Sequence, residues 1–301
     1  MILTASLTLF FSNFKMDYLK INKSNITFED QKKPGYESYQ QFYEIMREIT
    51  GIYLFPLIST FGILGNIFVI IVYAKSKIYS TSFYLIALSL SDILKLLNDL
   101  AYFLVMFITK IDEKMGEQLF LLVYNYTHYI FVFTALNTSW LVCAIAIDRF
   151  LTVVKQKFID PTKVFFSISL IILLSLLLAI PAPLFNTRQD VWDPKTNSTS
   201  SGLVETALGQ SQFKKYYHYI NGIIRTVLPV FLLIYLNYRI LQVVYKNRIK
   251  NTKRKNTKSN SRITIMLVTI VLTFVICVFP DSIMSMMQLG YVSEGKLQLI
   301  F

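Results

Sequence analysis

Apolar residues in this chain come in six long blocks, near 51–74, 83–108, 119–150, 164–185, 219–245 and 263–290. Each exceeds the roughly 20 residues a helix needs to cross about 30 Å of hydrocarbon. A backbone in lipid must satisfy its own hydrogen bonds, and blocks of this length leave the helix as the spanning form. The pattern predicts an all-α integral membrane bundle over 51–290, behind an N-terminal tail over 1–50. Residues 291–301 read as an external loop or the start of an incomplete seventh helix.

Charge orients the bundle. The chain carries a net charge of +12, and with the N-terminus outside, the inner loops would be 75–82, 149–163 and 239–262. These hold fifteen of the thirty Lys and Arg residues. The outer loop 109–118 holds two against three acids, and the outer segment 186–218 holds four. The positive-inside rule therefore favours an outside N-terminus and a multi-pass plasma-membrane protein. Lys253-Arg254-Lys255 then reads as cytoplasmic anchoring, not as a nucleic-acid patch.

Glycosylation sequons at Asn22, Asn25 and Asn197 fall in segments assigned outside, while matches at Asn125 and Asn137 near or within the third helix read as chance. Residues 1–11 are apolar without a basic flank, which argues against a cleaved signal peptide. Cys143 and Cys277 both sit inside helical blocks, so they read as packing residues and not as an external disulfide. Two histidines in the chain disfavour a metal site.

Ionisable residues inside the blocks carry the candidate chemistry, because each is costly in lipid unless paired or hydrated. Asp148 and Arg149, followed by Phe150 and a basic flank of Lys155, Lys157 and Lys163, mark a cytoplasmic boundary where an internal partner can read a switch. Asn66 and Asp92 lie in mid-membrane, and Asp92 must face the bundle interior. Counting back from Arg149 in helical steps gives Val142, Thr138, Ala135, Phe131 and His128 on one face. Lys95 and Asp99 share a face with Asp92, Arg225 precedes Pro229 by four residues, and Asp281 follows Pro280. These residues read as a ligand pocket, or as mutual pairs: Lys95 with Asp99, and Arg225 with Asp281.

An ordered set of motifs accompanies them. Gly65-Asn66 stands in the first block, Leu85-Ile86-Ala87-Leu88-Ser89-Leu90-Ser91-Asp92 in the second, and Asp148-Arg149-Phe150 closes the third. Leu228-Pro229 lies in the fifth, and Phe274 through Cys277 to Pro280 in the sixth. Together these resemble the rhodopsin-like family of G-protein-coupled receptors, which implies a seven-helix plan of which this chain holds six complete spans. Truncation of the seventh helix is the expectation.

Departures from the family pattern are Tyr124 where a disulfide cysteine is usual, Val278 where a tryptophan is usual, no tryptophan in the fourth block, and Phe150 for tyrosine. They point to a divergent, invertebrate member, and the run Thr138-Ser139-Trp140-Leu141-Val142 resembles peptide receptors of the FMRFamide-like type.

The resemblance implies roles. Arg149 pairs with Asp148 at rest and turns toward a heterotrimeric G protein when the sixth helix swings out. Pro280 bends that helix into a lever, with Phe274 as a switch or as plain core packing. Asp92 and Thr138, with Asn66 nearby, hold a Na⁺ ion or water, or form a polar network that only fixes packing. Asn260 and Ser261 stand where some members place an acid that clamps Arg149, so basal activity is expected. Phe131 occupies the place of the amine receptors' aspartate, which disfavours a biogenic amine.

Pocket groups of both signs suit a peptide ligand, with segment 186–218 as extra contact surface or a loosely ordered spacer. The expected function is therefore a neuropeptide receptor that signals through a G protein. Alternatives are a chemosensory receptor for a small molecule or a truncated, non-signalling form. A transporter or channel would need matching helix breaks in two halves, and the Gly and Pro positions do not match. No nucleophile–base set or phosphate loop suggests an enzyme.

Overall fold

The computed structural model of the chain describes residues 53–75, 80–193 and 198–250. Four long helices open the described part: α1 (Phe55–Ala74), α2 (Ser80–Ile111), α3 (Glu113–Val154) and α4 (Pro161–Ala179). A one-turn helix, Pro181–Leu184, leads into a hairpin of β1 (Asn186–Asp193) and β2 (Ser198–Glu205). After the short helix Ala207–Gln210 the chain climbs through α5 (Gln212–Gly222), a π turn (Ile223–Val227) and α6 (Leu228–Lys250). Among the described residues four stretches are long and apolar enough to cross a membrane: Phe55–Ala74, Glu113–Val154, Pro161–Leu184 and Gln212–Val243. The 32-residue α2 matches them in length and turns Asp92, Lys95 and Asp99 into the bundle.

The packing is inside-out relative to a water-soluble protein. In α1 the buried residues are Ser59 and Asn66, while Leu57, Phe61, Leu64 and Phe68 are exposed. Lipid solvates apolar side chains and leaves polar ones to find partners within the bundle. The axis is α3, whose 42 residues span about 63 Å at 1.5 Å per residue. It packs against α2, α4, α6 and both strands. At one end Leu141, Val142 and Cys143 meet Tyr84, Leu88, Val164 and Leu233. Toward the hairpin, Val132 and Leu136 meet Ala179, Phe185 and Tyr217.

Three local features depart from the sequence reading. The expected outer loop 109–118 shrinks to Asp112, which accepts a hydrogen bond from Met115 N at 3.1 Å and starts α3 directly after α2 ends. Gly116 makes this corner possible, since a Cβ there would run into Thr109.

Segment 186–218 is not a spacer: it holds the antiparallel hairpin, registered Asn186 to Glu205 through Asp193 to Ser198, and the start of α5. The third helix also runs past Phe150 to Val154, closing at Gln156 (φ 52°), with Lys157 N–H donating to Leu151 O.

Helix ends follow ordinary chemistry. Asp160 caps α4 through Thr162 N, with Pro161 at the first helical position. Pro229 lacks the N–H that would reach the Arg225 carbonyl, and the chain answers with the wide turn in which Leu228 N–H bonds Ile223 O.

Candidate functional site

Three levels of polar side chains line α3. At the far end from the hairpin, Asp148 is fully buried. Ser80 Oγ donates to Asp148 Oδ1 at 2.6 Å, and Thr81 Oγ1 donates to Asp148 Oδ2. Thr152 Oγ1 donates to the Asp148 carbonyl at 2.9 Å. Among the described residues the expected resting pair with Arg149 does not form, and the side chains on the acid are those of Ser80 and Thr81. Consecutive positions on a helix point about 100° apart, so Arg149 and Phe150 lie on a half-exposed flank.

Midway along α3, Thr138 Oγ1 donates to Asp92 Oδ1 at 3.2 Å and stands 3.3 Å from Ser91 Oγ. The structure thus joins Asp92 to Thr138, the two residues that the family resemblance placed together. Asn66 is buried but bonds within its own helix, Nδ2 to Gly62 O at 2.9 Å. Among the described residues its Oδ1, with Ser89 Oγ and Asn137 Oδ1, has no hydrogen-bond partner.

Nearer the hairpin, Lys95 Nζ and Asp99 Oδ2 pair at 3.0 Å, with side chains only 3% and 9% exposed. Lys95 also sits 5.8 Å from the centre of the Phe131 ring. The pairing reading of these two residues is therefore realised. Asn98 Nδ2 fastens α2 to α3 through Thr127 O at 3.2 Å. His128 stacks on Tyr124, ring centres 5.8 Å apart and planes 6° apart. Arg225 lies in the π turn across from them.

Sequence reasoning missed the hairpin's anchor. Tyr124 replaces the usual cysteine, and the hairpin is held without a covalent link. Asn125 Nδ2 donates to Asn186 O at 3.2 Å, and Leu203 packs on Val105, Phe120 and Tyr124. Thr206 clamps the hairpin's base, its N–H on Phe185 O at 3.0 Å and its hydroxyl on Leu184 O at 2.7 Å. His218, packed on Phe185 and Tyr217, was also missed, although its spacing from Lys214 placed both on one helical face. Cys143 is buried and unbridged, its Sγ 3.9 Å from Pro229 O, which fits a packing role. Asn125 and Asn137 lie within α3, where sequon matches have no meaning. Phe274, Pro280, Asp281, Cys277 and the sequon residues Asn22, Asn25 and Asn197 lie outside the described residues.

An apolar-coated helical bundle with buried polar levels along one central helix defines a multi-pass membrane protein. Its sequence matches the family described as 7 transmembrane receptor (rhodopsin family) over residues 65–299, more than three quarters of the chain. The chain belongs to that family, whose members are receptors and not enzymes. A search of curated proteins finds no match.

Proposed function

We propose that the protein is a peptide receptor, most economically a neuropeptide receptor, that signals through a heterotrimeric G protein. The ligand enters at the hairpin end, against Lys95, Asp99, His128, Phe131, Arg225 and Asp281. The observation that carries the peptide reading is the buried Lys95–Asp99 pair beside Phe131: a cation and an acid within 3.0 Å, next to an aromatic face. A peptide presents both charges together with apolar side chains, so it can compete for each partner of such a pair. Asp148 and Arg149 at the opposite end of α3 face the G protein. Asp92 and Thr138, with Asn66 nearby, take a Na⁺ ion or water between the two ends. The N-terminus and the hairpin end lie outside the cell, with glycans on Asn22, Asn25 and Asn197.

A small-molecule chemosensory role is the second reading. The depth of the pair favours it, since both side chains are almost wholly buried and leave a narrow approach. Cells expressing the full chain, challenged with panels of peptides and of small odorants under calcium and cyclic-AMP readouts, separate the two. A response to at least one peptide, absent in untransfected cells, is expected. Responses confined to odorants would overturn the peptide assignment.

A further inference from the structure

Both histidines of the chain lie toward the hairpin end, His128 on α3 and His218 on α5, and the Phe185 and Tyr217 rings beside His218 pack against Tyr129, Phe131 and Val132, which follow His128. Each is held by rings. Tyr124 stacks on His128, while Phe185 and Tyr217 stand 5.7 and 5.6 Å from His218. Phe185 and Tyr217 touch each other at 5.3 Å and belong to the cluster that also packs Phe131. Both imidazoles remain partly exposed. Among the described residues their contacts are with rings, and no hydrogen bond occupies their nitrogens.

Charges of both signs stand around them. Lys214 and Arg225 lie within electrostatic range of both imidazoles. The hairpin contributes Glu205, which Lys214 holds at 2.6 Å. From α2 the acid is Asp99, held by Lys95. The facing acids are thus engaged by lysines, while two imidazoles offer hydrogen-bonding nitrogens between flat apolar walls. Such a place suits a group that brings negative charge and an apolar body together.

We propose that His128 and His218, with Arg225 and Lys214 beside them, form a subsite for a carboxylate carried on an aromatic or apolar body. On a peptide this is a C-terminal carboxylate next to an apolar residue, or an acidic side chain. The inference rests on the pocket placed at the hairpin end, but its test does not depend on finding the natural ligand. Imidazole N–H groups hold one carboxylate oxygen each, the cationic side chains add charge, and Tyr124, Phe185 and Tyr217 line the body. Lys95 and Asp99 then serve the rest of the ligand.

Two histidines make the test clean. The full, untagged chain in nanodiscs, labelled with ¹⁵N only at histidine, gives signals from two imidazoles, assigned with His128→Gln and His218→Gln. Titration with 4-fluorobenzoate is expected to move both sets saturably. 4-Fluorobenzamide, equal in shape and uncharged, is expected to leave them in place, and inorganic phosphate to move them less at equal concentration. The double variant H128Q/H218Q, checked for monodispersity, should bind the benzoate about a hundredfold more weakly by ¹⁹F line broadening, the loss of two charge-assisted hydrogen bonds.

Equal shifts with the amide, or none up to the solubility limit of the benzoate, would overturn the subsite. Equal shifts with phosphate would overturn the apolar-body half of the proposal. Failure here beside a positive peptide response removes the carboxylate subsite alone. Benzoate binding beside silence to every peptide removes the peptide reading alone.

Discussion

Asp148 takes its hydrogen bonds from Ser80 and Thr81, so the opening residues of α2 hold the end of α3 in place. Breaking a hydrogen bond to a buried carboxylate costs about 2 kcal/mol. Thr81→Val should therefore lower the melting temperature in detergent and raise ligand-independent signalling at matched surface expression; an unchanged basal signal would remove the latch role. The Lys95–Asp99 pair follows another rule. Removing one partner of a buried pair costs about 3–5 kcal/mol, whereas replacing both with apolar residues is often neutral. Asp99→Leu should yield little folded receptor, and the double change Lys95→Met with Asp99→Leu should restore yield while losing the ligand response.

At this scale the sequence was most legible where lipid made polarity expensive: Asp92 needed a partner, and the family resemblance pointed to Thr138. The partners of Asp148 were hidden because Ser80 and Thr81, at a helix start, look like ordinary capping residues. They are separated from the acid by 68 and 67 positions.

Among the elements, the turn between α2 and α3 shows how local chemistry outweighs charge content. Lys110, Asp112, Glu113 and Lys114 read as a solvated loop, yet Asp112 is a helix cap and Gly116 lets the two helices meet at once. A Cβ at Gly116 would overlap Thr109, so Gly116→Ala should cost about 2 kcal/mol, seen as a lower melting temperature. The hairpin was illegible for a related reason. Its strands alternate weakly and are rich in Ser and Thr, and Tyr124 removed the cysteine that normally betrays an anchored loop. Leu203→Asp, which sets a charge against Val105, Phe120 and Tyr124, should speed proteolysis of the hairpin while leaving the remainder of the bundle intact. The π turn was not read from the sequence, since its form depends on which carbonyls the helix can still satisfy once Pro229 removes a donor.

For the molecule as a whole, the long apolar blocks and the ordered motifs carried fold and family, because a lipid-spanning backbone has so few solutions. Orientation rests on basic loops and sequons. Apparent mass on a gel should fall stepwise with Asn22→Gln, Asn25→Gln and Asn197→Gln if the hairpin end faces outward, and no change after glycosidase treatment of the parent would argue the reverse. We propose that a ligand bound at the hairpin end of α3 acts through the Asp148–Arg149 end, which Ser80 and Thr81 tie to α2, to drive a G protein. The most direct measurement is nucleotide exchange on purified heterotrimeric G proteins by the full chain in nanodiscs, beside Arg149→Ala. Exchange well above empty nanodiscs with at least one G-protein class, lost in Arg149→Ala, is the predicted result; exchange at background for every class, or undiminished in Arg149→Ala, would contradict it.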